Sequence, residues 1–194
     1  DLTLVGDNKT DISARAIWEL DPFADIHAYP HGITEENFAA FIGDPRLSVF
    51  VDEMDDIALK FSSRYACRTA RIPVVMATDN GDGAIVDVER FDQEPERPIF
   101  HGRVDALSGS VTKGDRAEFI RLADSIIDPA LFTPRQLASV RAIGTTLGGV
   151  AQLGSAALIA GAAAAYAVRA ILTGAELPSG RYKIGCEQAF TTSA

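Results

Sequence analysis

Cysteine is scarce in this sequence, and a surplus of positive charge is absent. Cys67 and Cys186 are the only thiols among 194 residues and lie far apart, which excludes the paired spacing of a zinc site and any disulfide framework. That usage fits a reducing, cytoplasmic setting. Lys and Arg number 18 against 27 Asp and Glu, a formal net charge of -9, so no broad, sequence-independent grip on nucleic acid is expected. No signal peptide opens the sequence, and Asp1-Leu2-Thr3-Leu4-Val5 begins so abruptly in an apolar run that the natural start is expected upstream. Charge is also missing from Ala142 to Val168, a run long enough to span a membrane. It is built mostly of Ala, Gly, Ser and Thr, so its transfer energy is too small for insertion, and a buried helix is expected, with a break near Gly144, Gly148 and Gly149. Small residues let a second backbone approach closely, so a tightly packed partner helix, with a homodimer as one form of it, is the natural reading.

What remains is the composition of a folded domain, 47% hydrophobic and 23% charged, with length for one core and a small appended part. Leu2 to Val5 reads as a strand and Asn8 to Leu20 as a helix with Ile12, Ala16, Ile17 and Leu20 on one face. Ala24 to Tyr29 reads as a second strand, and Thr34 to Phe41 as a brief helix capped by Thr34. Leu47 to Val51 is a continuous apolar run of the kind buried in a parallel sheet, followed by a helix over Ile57 to Ala70 and a strand over Ile72 to Ala77. Alternating strands and helices predict α/β crossovers, and the apolar–acidic alternation of Ala84 to Phe91 adds an antiparallel strand. The expected fold is therefore α/β: a Rossmann-like three-layer sandwich with a mostly parallel, mixed sheet over residues 1–100 and a C-terminal helical segment over 117–194. Residues 101–116, rich in Gly, Ser and charge, read as a mobile loop between them. Ala117 to Ile127 has helical spacing, and Thr133-Pro134 is a helix start signal.

In open α/β sheets ligands bind beyond the carboxyl ends of the parallel strands, which directs attention to the residues after Val5, Tyr29, Val51 and Ala77. Asp52-Glu53-Met54-Asp55-Asp56 places four carboxylates in five residues, and their repulsion calls for solvent, helix amides or a cation such as Mg²⁺. Asp55 or Asp56 acting only as a helix cap is the plainer alternative. Gly6-Asp7-Asn8-Lys9 puts amides and an ammonium at a helix start, a combination suited to phosphate, although such a lysine is often simply solvated. His31 follows a strand end, and Asp79 and Asn80 follow another. Thr78, Asn80, Asp82, Gly83 and Glu89 fall on calcium-loop spacing, but the first ligand is Thr and strands flank it.

These residues carry a resemblance. Val49-Phe50-Val51-Asp52-Glu53-Met54-Asp55-Asp56, followed by a helix ending Ala66-Cys67-Arg68-Thr69-Ala70-Arg71-Ile72-Pro73-Val74-Val75, resembles the signature of the ThiF/MoeB family, the adenylating fold shared with ubiquitin-activating enzymes. Gly6-Asp7-Asn8-Lys9 is similar to the family's Gly-x-x-Lys, and Glu19-Leu20-Asp21-Pro22 to its Asn-Pro turn. The resemblance covers about the first hundred residues. It implies binding of ATP and Mg²⁺ and adenylation of a carboxylate, either a small molecule or the C-terminus of a small ubiquitin-like sulfur-carrier protein. Lys9 and Asp55 would be the catalytic pair; Lys9, Asp52, Met54, Asp55 and His31 would line the nucleotide, with Mg²⁺ on Asp55; Asp79 and Asn80 would face the substrate. The family's Gly-rich loop is missing from the sequence, Asp56 stands where many relatives have Asn, and neither cysteine sits where thioester chemistry is expected. Two other readings stay open: an NAD- or FAD-binding domain serving an oxidoreductase, and a non-catalytic interaction module.

Overall fold

The computed structural model describes residues 2–104, 126, 128–149 and 151–186. Its elements are helix α1 (Lys9–Leu20), α2 (Glu35–Gly43), strand β1 (Phe50–Val51), α3 (Ile57–Thr69), β2 (Val74–Asn80), β3 (Gly83–Glu89), α4 (Pro134–Ala142), α5 (Gly154–Thr173) and β4 (Gly180–Gly185). The expected helix over Ala117 to Ile127 and the expected mobile loop lie outside the described residues, save for 101–104 and Ile126.

The sheet is mixed and open, in the order β1-β2-β3-β4. β1 runs parallel to β2, with Phe50 beside Val74 and Val51 beside Val75. β2 and β3 form an antiparallel hairpin closing at Asn80 and Gly83, and β4 pairs antiparallel to the far edge of β3. Antiparallel pairing therefore dominates, which corrects the expectation of a mostly parallel sheet. Two expected strands are absent: Leu2–Leu4 is a 3-10 turn, and residues 24–29 have no ladder partner. A strand persists only where its N–H and C=O groups meet a neighbouring strand, and neither segment is part of the sheet. Only the crossover β1-α3-β2 remains of the three anticipated.

The crossover forms for reasons written in its residues. Asp56 caps α3, its Oδ1 accepting the Leu59 N–H at 3.0 Å. At the other end Arg46 Nη2 donates to the Ala70 carbonyl at 2.8 Å, satisfying one of the orphan acceptors of the last turn. Ile57, Phe61 and Cys67 turn inward from α3 to join Phe38 and Ile42 of α2, Phe50 of β1 and Val74 and Met76 of β2. Residues alternate along β2, so Val75 and Ala77 face the opposite side, where they meet Ala84, Val86 and Val88 of β3 and Ala160, Ala164 and Ala167 of α5. Helices thus cover both faces, and each fully buried aliphatic or aromatic side chain contributes about 1.5–3 kcal/mol.

α5 begins at Gly154, well after the start of the uncharged run, and stops at Gly174, whose φ of 71° is the left-handed cap a glycine supplies. Among the described residues it is the one helix long and apolar enough to cross a membrane by length and composition. Its alanine stripe lies on the sheet, while Leu158, Tyr166 and Leu172 on other sides are 77%, 57% and 58% exposed. The hairpin and β4 approach more closely than most strands: a Cβ at Gly83 would stand 2.0 Å from the Ile184 carbonyl oxygen, so only glycine fits there.

Candidate functional site

The carboxyl end of β1 is where the sequence concentrates its acids, and the structure gives nearly each of them a separate duty. Asp52 is wholly buried. Its Oδ1 accepts the Met54 N–H and the Lys60 ammonium, each at 3.0 Å, and its Oδ2 accepts from Arg64 Nη1. Burial alone would raise the Asp52 carboxyl, but Arg64 and Lys60 outweigh it and hold it below the usual carboxylate range. Glu53 turns back to the sheet, where its Oε1 accepts the Ala77 N–H at 3.1 Å, a stretch of β2 beyond the reach of β1. Burial pushes its carboxyl up, with Asp52 and Asp79 adding to the rise against the pull of the Ala77 N–H and Lys60. Asp56 is spent as the α3 cap. Asp55 is left exposed, and no described group donates to it.

Two cations that the sequence reading passed over complete this rim. Lys60 and Arg64 lie one helical turn apart on α3, facing the sheet. Lys60 also reaches Met76 Sδ at 3.5 Å. Arg64 has no exposed surface; its Nε donates to Glu89 Oε2 at 2.8 Å, and its guanidinium lies 3.9 Å over the Phe100 ring. Burial would lower the Arg64 pKa, yet Glu89 and Asp52 together raise it. A basic pair spaced i, i+4 within an otherwise apolar helix face was the available signal.

The remaining expected residues lie on several elements. Lys9 is exposed in the first turn of α1, where Asn8 is the cap and also donates from Nδ2 to the Pro30 carbonyl at 2.9 Å. His31 is exposed in the loop before α2. No hydrogen bond or ion pair joins either side chain to Asp52 or Asp55 among the described residues. Met54 is half-buried and packs against the α3-side core, so its side chain serves the interior. Asp79 is half-buried at the end of β2, and Asn80 is buried, donating to the Leu131 carbonyl at 3.3 Å while its Oδ1 has no partner. Among the described residues no three His, Cys, Asp or Glu side chains converge to hold a metal. Of the five residues on calcium-loop spacing, all but Asp82 lie in the β2-β3 hairpin, and both oxygens of Glu89 are taken by Arg64 and the Phe100 N–H. Cys67 is sealed in the core, and burial pushes its thiol up to about 12, as inert thiols are.

A second polar cluster lies further along the same face. Asp87, 3% exposed, accepts from Arg181 Nε at 2.7 Å and Nη2 at 2.8 Å and from His101 Nε2 at 2.9 Å. Arg97 Nη2 stands 3.1 Å from His101 Nδ1 and can only donate, so the imidazole carries its proton on Nε2, toward Asp87. Burial would raise the Asp87 carboxyl, but His101 and Arg181 together lower it. Both imidazole nitrogens are therefore occupied, which assigns His101 to structure.

No protein-family model matches this chain. The chain is 36% identical over 190 residues to the uncharacterized protein MT1398 of Mycobacterium tuberculosis (strain CDC 1551 / Oshkosh). The similarity covers 95% of the chain and 26% of that protein, so the chain spans about a quarter of the relative it matches.

Proposed function

We propose that the chain is most of a Rossmann-like nucleotide-binding domain of the ThiF/MoeB type, which binds ATP with Mg²⁺ in adenylating a carboxylate. The single observation that carries this reading is the sorting of acids at the β1 rim: Asp52, Glu53 and Asp56 each have a structural partner, and Asp55 alone has none among the described residues. One protein carboxylate suits Mg²⁺, which keeps waters and takes most of its remaining oxygens from phosphate. Bound there, the metal ion would neutralise charge developing on the phosphates. Asp55 supplies the anchoring oxygen, Asp52 fixes the turn that presents it, and Lys9 is assigned the phosphate charge on the resemblance alone. Asp79 and Asn80, at the end of the neighbouring strand, are assigned the acceptor side, where a small carboxylate or a carrier protein's C-terminus would approach. The exposed apolar side of α5 is the surface for a homodimer, and the cytoplasm is the compartment that the cysteine usage favours.

Thermal shift with ATP and Mg²⁺, NAD and FAD tests the reading on the full chain. ATP with Mg²⁺ is expected to stabilise the wild type by about 2.7 kcal/mol at a hundred times Kd. Asp55→Ala is expected to abolish that gain and any ATP–pyrophosphate exchange, while leaving ligand-free stability within about 0.5 kcal/mol, since Asp55 holds nothing in the fold. Stabilisation by NAD or FAD instead would transfer the site to a dinucleotide. A response to none of the three would leave an interaction module.

A further inference from the structure

Buried ion pairs usually end where two charges meet, but the one beneath the rim continues. The Met54 N–H, inside the acidic turn, donates to Asp52 at 3.0 Å; Asp52 is held by Arg64; Arg64 donates to Glu89 at 2.8 Å; and the other oxygen of Glu89 accepts the Phe100 N–H at 2.7 Å. The chain of charge-assisted bonds thus begins at one backbone amide and ends at another, remote in sequence. Every side chain along it is at most 1% exposed, so solvent does not loosen it.

Two properties make this a linkage. The guanidinium is planar and its donors are fixed in a fork, so Arg64 cannot turn to follow Asp52 without leaving Glu89. At the far end Phe100 and His101 hold φ of 48° and 57°, a left-handed conformation that non-glycine residues adopt only under restraint. The Glu89 bond to the Phe100 amide and the Arg64 stack on its ring hold that turn in place. Releasing Glu89 frees the turn, and the freed turn removes the platform on which Arg64 rests.

We infer that Arg64 is a positioning residue, which sets the Asp52–Asp56 turn in register with the Ile99–Gly102 segment and so fixes where Asp55 points. The linkage itself stands on the geometry; its consequence for a ligand rests on the function proposed above.

Amide hydrogen exchange by NMR on the full chain tests it, with Glu89→Gln as the variant, because glutamine keeps the shape and removes the charge at the far end only. The Phe100 amide is expected to exchange at least tenfold faster, the Met54 amide to follow by a similar factor, and the Val86 amide in the middle of the sheet to keep its wild-type rate. A Met54 rate that stays put, or an equal rise at all three amides, overturns the inference. Arg64→Lys is the second variant: an ammonium keeps the charge but not the rigid fork that spans the two carboxylates, so both amides lose protection, and wild-type rates there would refute the role of the fork. Affinity for ATP with Mg²⁺ is measured on the same samples and is expected to fall at least threefold in both variants. If the wild type binds no ATP while Met54 still responds to Glu89→Gln, the proposed function fails and the linkage stands.

Discussion

Removing the Asp52 carboxylate is the most demanding perturbation of this rim. Asp52→Ala leaves Arg64, with no exposed surface, with Glu89 as its one ion-pair partner among the described residues, and leaves Lys60, 12% exposed, without its ion pair and hydrogen-bonded only to a thioether at 3.5 Å. Breaking a buried ion pair from one side costs about 3–5 kcal/mol, because the surviving charge stays desolvated. A domain of ordinary stability has about 5–15 kcal/mol in all, so the variant should lose about a fifth of it at the least. Urea unfolding followed by far-UV circular dichroism reads this as a lower midpoint with an unchanged slope. Asp52→Asn should cost less, since the amide oxygen still accepts from Met54 or Lys60. The pH dependence has a definite sign. The folded Asp52 carboxyl lies below its unfolded value of 3.8, so its contribution is complete above that value and is lost as pH falls through the lower, folded one. The difference between wild type and Asp52→Ala should therefore be flat from pH 5 to 8 and shrink only in strong acid. A loss under about 1 kcal/mol at pH 7 would mean that Arg64 and Lys60 do not depend on Asp52, and the account of the rim would fall with it.

Two further outcomes are expected. Thiol labelling of the folded chain at pH 8 should modify Cys186, which is exposed, and spare Cys67, whose thiol is buried and raised to about 12; both should react in denaturant, and rapid labelling of Cys67 in the native chain would contradict the packing of α3. Gly83→Ala should destabilise by about 1–3 kcal/mol through forced separation of β3 from β4, measured in urea and localised by faster exchange of the β4 amides; a neutral effect would show that the strands are further apart than described.

The crossover at the centre of the fold was legible because its signals are local. Leu47 to Val51 is apolar but for Ser48, Asp56 precedes the first helical turn, and both features stand within a dozen residues of each other. Residues 24–29 misled because apolar residues alternate there as they would in a strand, yet strand formation depends on a neighbour that only the tertiary structure can supply or withhold. β4 was missed for the converse reason, its residues falling in the expected helical segment over 117–194: Arg181, Tyr182, Lys183 and Ile184 alternate correctly, but the partner, β3, lies about a hundred positions earlier. At the site, the density of acids was visible and their division of labour was not. Which carboxylate is buried depends on two cations delivered by the next helix, and a row of letters does not show which way a turn of α3 faces. Lys9 and His31 were grouped with the rim by their places after expected strand ends; those strands do not form, and no hydrogen bond or ion pair joins either side chain to Asp52 or Asp55 among the described residues.

The double attachment of α3 governs how the molecule can move. Lys60 and Arg64 are spaced by one pitch, about 5.4 Å, and both engage Asp52, while Arg64 also engages Glu89. A slide of the helix along its axis, or a roll of one residue, would pull two cations out of register with two carboxylates at once. Rigid-body shear at this layer is thereby forbidden, and whatever adjustment the domain makes on meeting another molecule must be carried by the segments on either side of the clasp.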